Sequence, residues 1–286
     1  MMDVSVIIVN YNTRQMTCDC LHSIRMHTRD VNYEIIVVDN ASTDGSVAHI
    51  KTHFAGVRVI SSDRNLGFGK ANNKGALEAR GKYLFFLNSD TLLLNNAIHF
   101  FFNYMERNKE VGAVGGILLN EQGQVSFSYS RFPSPQTEVK YVLNKLFHRP
   151  TIPTVPSQPV SVDFISGADL FIRKATFERL NGFDPEFFMY YEEVDLQKRM
   201  DLLGLKRIIL PEVRIIHLEG GSFASKRLTF RRFLIAQESF NRYIAKHYGG
   251  VSKLGFRTLM GILRLTLFTH RWSWKEKCLA YLHVWK

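Results

Sequence analysis

Glu34-Ile-Ile-Val-Val-Asp-Asn-Ala-Ser-Thr-Asp-Gly45 runs from an apolar, β-branched stretch directly into a cluster of polar turn-forming residues. Such an unbroken apolar run predicts a short strand buried on both faces, as in parallel sheets. Working outward, Val4–Val9, Tyr33–Val38, Val57–Ser61 and Tyr83–Leu87 share this character, and Thr13–His27, Ser46–His53 and Lys70–Arg80 between them read as helices. Strands alternating with helices predict an α/β fold built on a mainly parallel, helix-covered sheet. In such sheets ligands bind beyond the carboxyl ends of the strands. Polar clusters gather there: Asn10-Tyr-Asn12 after the first strand, Asp39–Gly45 after the second and Asn88-Ser-Asp90 after the fourth. Three clusters on one rim form a binding-site pattern.

The chain has 286 residues, 45% of them hydrophobic and 22% charged, enough for a sizeable core and without the signature of disorder. Cys18, Cys20 and Cys278 are too few and too irregularly spaced for a disulfide framework or a zinc knuckle. The N-terminus passes straight into strand-like sequence without a basic segment, which predicts a cytoplasmic location. The net charge of +11 is unevenly spread: residues 225–286 hold 13 Lys/Arg and 2 Asp/Glu, leaving 24 of each sign in the first 224 residues. A neutral body argues against nucleic acid as the main partner. Residues 120–160 carry Pro133, Pro135, Pro150, Pro153, Pro156 and Pro159, predicting a loop-rich excursion. Order resumes at Val162–Arg173, a strand broken at Gly167. A helix over Lys174–Leu180 follows, stopped by Asn181-Gly182, and another begins near Glu192.

Several segments, taken in order, resemble family 2 glycosyltransferases. Ser5-Val-Ile-Ile-Val-Asn-Tyr-Asn12, Glu34–Gly45, Asn65-Leu-Gly-Phe-Gly69 and Leu87-Asn-Ser-Asp90 match the family's donor half. Gly182-Phe-Asp-Pro, Tyr191-Glu-Glu-Val-Asp-Leu196 and His217 match its acceptor half, and the rhamnosyltransferase-like branch is the nearest in character. The resemblance implies a GT-A type fold and an inverting, metal-dependent transferase. Its donor is a nucleotide sugar on uracil or thymine, dTDP-rhamnose among the candidates, and its acceptor a glycan or lipid-linked glycan. It divides the chain into a catalytic domain over 1–224, with the donor half at 1–119 and the acceptor half at 120–224, and a basic helical region over 225–286.

The resemblance also assigns residues. Asp39 accepts the imide N–H of the base, unless it only caps the strand exit as an Asx turn. Tyr11 and Asn12 line the nucleoside pocket. In place of the family's Asp-x-Asp stands Asn88-x-Asp90; Asp90 keeps the position expected to touch Mg²⁺ or Mn²⁺, and Asn88 contacts ribose or a metal-bound water. His217 is a second metal ligand, placed before the Gly/Ser stretch 220–222. Glu193 takes the position of the general base that removes the acceptor's hydroxyl proton, with Glu where Asp is more usual. Glu192 and Asp169 are acceptor contacts. Asp195 and Arg199 are spaced for an ion pair on α-helix.

Residues 253–271 place Lys253, Arg257, Arg264 and Arg271 on one stripe of an otherwise apolar helix. That pattern suits an anionic membrane surface on the inner face of the cell membrane, a core-packed helix, or an oligomer contact. Two rival readings fit less well. A nucleotidyltransferase needs a Gly-rich phosphate loop with basic residues near the first strand, and Asn10-Tyr-Asn12 offers none. A basic, non-enzymatic binding module does not account for the acids gathered in a neutral body.

Overall fold

The computed structural model describes residues 2–147, 155–218, 229–263 and 272–283. The chain order is β1 (Val4–Asn10), α1 (Arg14–His27), β2 (Tyr33–Asp39), α2 (Ser46–His53), β3 (Val57–Ser61), α3 (Phe68–Leu77), β4 (Tyr83–Asn88), β5 (Thr91–Leu93), α4 (Ala97–Arg107) and β6 (Val111–Leu119). There follow β7 (Tyr129–Ser130), α5 (Pro135–Leu146), β8 (Val160–Val162), β9 (Phe164–Ile165), β10 (Asp169–Arg173), α6 (Lys174–Arg179), α7 (Glu192–Asp201) and β11 (Lys206–His217). The described C-terminal helices are α8 (Phe230–His247), α9 (Gly250–Leu263) and α10 (Trp274–His283).

The main sheet has the order β3-β2-β1-β4-β10-β6-β11-β5, with β8 also paired to β11. β1, β2, β3 and β4 run parallel, and β10 is inserted antiparallel between β4 and β6. The strand order turns back between β1 and β4, which opens the crevice where such sheets bind ligands. Strand residues alternate between two cores. Val4, Val6 and Ile8 of β1 with Phe85 and Leu87 of β4 face α1, α2 and α4. Ile7, Leu84 and Phe86 face α3, α6 and α7. Burial on both faces is why these strands read as continuous apolar runs, each large side chain contributing about 1.5–3 kcal/mol.

The register of β11 against β6 shifts twice, between Lys206 and Arg207 and again between Ile209, opposite Gly115, and Arg214, opposite Ile117, where an irregularity around Pro211 interrupts it. Proline has no N–H to give to the ladder.

Two expectations are sharpened. The loop-rich 120–160 stretch also holds one helix, α5, whose Val139 and Leu143 line a surface groove together with Phe147 just past its end. The tail helix is packed rather than wholly surface-lying. Phe256 and Met260 of α9 are 1% and 3% exposed, in a cluster with Phe233, Phe240 and Tyr243 of α8 and with Phe132, Phe164 and Phe187 of the body. Leu254 and Ile262 of α9 remain exposed, while Arg264 and Arg271 fall outside the described residues. Among the described residues no helix is long and apolar enough to cross a membrane.

Candidate active site

The loops after β1, β2 and β4 are joined through one buried side chain. Asn10 donates from Nδ2 to Asp39 Oδ1 at 2.7 Å and to Ser42 Oγ at 3.0 Å, and its Oδ1 accepts from Thr13 and Thr17. Thr13 Oγ1 lies 3.1 Å from Ser89 Oγ in the third loop. Asp39 Oδ2 accepts from the Ser42 N–H three residues on at 3.0 Å, so the carboxylate also caps the strand exit. Each Asp39 oxygen keeps a second lone pair, and the cap therefore fixes the carboxylate without using up its capacity to accept. Asn12, with φ +54°, accepts from the Thr43 N–H at 2.8 Å and donates its own N–H to Ser42 Oγ. Its side chain ties the two loops together. Tyr11 is half-buried beside it.

Asn88 and Asp90 flank the turn from β4 to β5. β11 pairs with β5 so that His217 stands opposite Thr91, and the Leu218 N–H donates to the Asp90 carbonyl at 2.9 Å. This register brings together groups 127 residues apart: His217 Nε2 is 3.4 Å from Asp90 Oδ1 and 3.3 Å from Asn88 Nδ2. Among the described residues no cluster of three His, Cys, Asp or Glu side chains forms. A carboxylate oxygen and an imidazole nitrogen converging on one point fit a hard divalent cation that takes its remaining ligands from diphosphate and water. The Gly/Ser stretch after His217 lies outside the described residues.

The first turn of α7 presents the two glutamates. It follows a kink in which Tyr190 and Tyr191 both take left-handed backbone, φ +70° and +66°. Two such residues in series store about 1–3 kcal/mol each. Glu193 packs on Gly167, whose added Cβ would sit 3.5 Å from Glu193 Cβ, and Ala168 beside it accepts from the Asn88 N–H at 2.9 Å. The 167–168 turn thus connects the Asp90–His217 arm with Glu193. Oε2 of Glu192 and Oε2 of Glu193 are buried with no hydrogen-bond partner among the described residues. Burial pushes the Glu193 carboxyl up to about 7. Glu192 is raised well above the usual carboxylate range, first by burial and then by the charge of Glu193.

The two residues expected as acceptor contacts are both buried. Asp169 is fully buried within the sheet, its Oδ2 accepting from the Gly116 N–H at 2.6 Å, and burial raises it well above the usual range. Glu192 is 3% exposed and packs on Gly69. Both side chains face inward from their strand and helix positions. Asp195 is likewise no surface acid. It is fully buried, bound by Arg199, Lys246 and His247. Although burial works against the charge, these partners hold its carboxyl below the usual range.

The Asn65–Gly69 turn has a clear structural role. Asn40 donates to Asn65 Oδ1 and the Gly67 carbonyl, and Phe68 N–H donates to the Phe188 carbonyl at 2.9 Å. It therefore links the loop after β2 to the loop before α7. Asn10, Ser42 and Asn40 were identifiable in sequence only as turn residues; their joining role depends on which loops meet.

The family model for glycosyl transferase family 2 matches residues 5–180. The chain belongs to glycosyl transferase family 2. This family 2 glycosyltransferase is 29% identical over 257 residues to the rhamnosyltransferase WbbL of Escherichia coli (strain K12), covering 85% of this chain and 93% of the relative. It is 27% identical over 207 residues to the N-acetylglucosaminyl-diphospho-decaprenol L-rhamnosyltransferase of Mycobacterium tuberculosis (strain ATCC 25618 / H37Rv), covering 66% of this chain and 67% of that one. The crystal structure of GalNAc-T7 with UDP, GalNAc and Mn²⁺ shares its fold with a TM-score of 0.60 at 18% identity, over 94% of this chain and 58% of that one. The GT-A type fold is thus the one observed, and the activity of the family 2 glycosyltransferase is sugar transfer.

Proposed function

We propose that this glycosyltransferase moves a sugar, with rhamnose the leading candidate, from a dTDP or UDP donor to a hydroxyl of a lipid-linked glycan, inverting the anomeric carbon, in cell-surface polysaccharide synthesis. The names of the two rhamnosyltransferase relatives support the sugar and the acceptor class. The observation that carries the mechanism is Glu193: a buried carboxyl raised to about 7, seated on the turn that abuts the donor-side arm. A base poised near neutrality is matched to removing a hydroxyl proton.

In this reading Asp39 accepts the imide N–H of the base, with Asn10 and the Ser42 N–H holding its carboxylate in place. Asp90 and His217 would hold Mg²⁺ or Mn²⁺, which supplies charge neutralisation to the departing diphosphate. Glu193 takes the acceptor's proton as the acceptor oxygen bonds to the anomeric carbon and the bond to the diphosphate oxygen breaks. One displacement inverts the centre. Residues 225–286, with 13 Lys/Arg against 2 Asp/Glu, and exposed Leu254, Ile262 and Trp274 suit peripheral contact with an anionic membrane bearing the acceptor.

The test is a thermal-shift panel of UDP, dTDP, GDP and ADP, each with Mn²⁺ or chelator, on wild type and Asp90→Ala. A nucleotide at 100 times its Kd adds about 2.7 kcal/mol, a rise of about 5–10 °C in Tm for a chain of this size. Metal-dependent stabilisation by UDP or dTDP that Asp90→Ala loses is the expected result. Equal stabilisation in chelator, or none with any nucleotide, overturns the donor site.

A further inference from the structure

Glu193 takes its aim from the backbone that carries it, and its carboxylate is met locally by the N–H groups of Glu193 and Val194. Oε2 has no partner among the described residues, and the two residues before the glutamate pair adopt a backbone that the chain resists. Something outside α7 must hold that geometry. The contacts come from α8. Ser239 Oγ donates to the Met189 carbonyl at 2.8 Å, and the Tyr191 ring packs on Phe240 and Tyr243 with centroids 5.5 and 5.9 Å apart. Arg232 Nε reaches Tyr190 Oη at 3.3 Å.

One turn along α7, Asp195 completes the hold. Its N–H donates to the Tyr191 carbonyl at 2.8 Å, the first hydrogen bond after the kink. Its Oδ1 lies 2.8 Å from His247 Nε2 and 2.9 Å from Lys246 Nζ, both from the last turn of α8. Its Oδ2 is paired with Arg199, which reaches on to the carbonyls of Leu180 and Gly182. Lys246 also binds Asp184 Oδ2 at 2.5 Å, in the loop that leads to the kink. Two adjacent side chains of α8 therefore grip both ends of the segment that delivers the glutamates.

We infer that Lys246 and His247 are positioning residues, which set the aim of Glu193 through Asp195. The inference rests on the reading of Glu193 as the base. It makes a segment from the basic C-terminal region part of the machinery for transfer, although neither residue touches the reacting atoms. A displaced base costs chemistry before it costs donor binding, because the nucleotide is held by the loops after β1, β2 and β4.

The experiment uses the full chain with Lys246→Met and His247→Phe, the latter keeping the ring contact with Tyr243 at 4.7 Å. Lys246→Arg and His247→Gln serve as conservative variants and Glu193→Gln as control. Each severing variant is expected to lower kcat about tenfold or more, with the nucleotide-induced thermal shift and donor KM unchanged. Lys246→Arg and His247→Gln recover most of the rate. Should the severing variants fail to fold, the conservative pair still reads out the proposal, since charge or N–H donation alone must sustain kcat. A kcat within twofold of wild type in Lys246→Met and His247→Phe, with Glu193→Gln inactive, overturns the positioning role alone. Loss of donor binding in step with kcat also overturns it. Full transfer by Glu193→Gln overturns the reading of the base, and the inference with it.

Discussion

Gly67→Ala probes how firmly the nucleotide side is coupled to the α7 side. Gly67 has φ +81° and ψ −174°, a region that only glycine enters readily, at a cost of about 1–3 kcal/mol for another residue. A Cβ there would lie 2.0 Å from the Phe188 carbonyl oxygen, so that backbone must retreat by about 1 Å to reach even a tight contact. The retreat breaks the Phe68 N–H to Phe188 bond, which contributes about 1 kcal/mol. Together the variant loses about 2–4 kcal/mol, and Tm falls by about 5–12 °C. Phe188 opens the segment that leads through Tyr190 and Tyr191 to Glu193, so the shift reaches the base, and a misplacement of about 1 Å costs about 100-fold in rate. Differential scanning fluorimetry and a transfer assay measure both effects. A variant within about 2 °C of wild type that retains full kcat refutes the coupling.

The pH profile follows from the buried pair. A base raised to about 7 is protonated below that value, so kcat/KM falls about tenfold per pH unit on the acid side; a rate flat down to about pH 5 excludes Glu193 as the essential base. Stability responds in the opposite sense. Glu192 has a folded value above its unfolded one, so the native state binds more protons, and unfolding free energy decreases as pH rises from the ordinary carboxylate range toward the folded value. Glu192→Gln, which cannot ionise, should therefore raise Tm at pH 7–8 by several degrees and lose the advantage near pH 4. A gain independent of pH points to packing instead.

The donor side was the legible part of the sequence because its logic is local. Each strand ends in its own polar turn, and Asp39, Asn88 and Asp90 need only the strand order to share a rim. His217 could be placed by resemblance, but its meeting with Asp90 depends on β11 pairing with β5, a contact that spacing does not encode. The glutamate pair was found as a motif, yet its burial was not, since the surfaces it packs on come from Gly69 and Gly167. Asp195 and Arg199 were read as a helical ion pair and are one. Their second set of partners, Lys246 and His247, lies beyond the reach of an i, i+4 rule. The basic charge of the C-terminal region hid those partners by suggesting a surface role for the whole segment.

The irregularity around Pro211 breaks the register of β11 against β6 between Ile209 and Arg214. The stretch before it is indexed to β6 and β8, and the stretch after it to β5 through Ile215, Ile216 and His217. A strand of unbroken register would transmit any one-residue slip along its length and turn His217 to the opposite face of the sheet. Here a slip near Arg207 stops at the irregularity. A change of register confined to Arg207–Ile209 is therefore buffered from the Asp90–His217 arm.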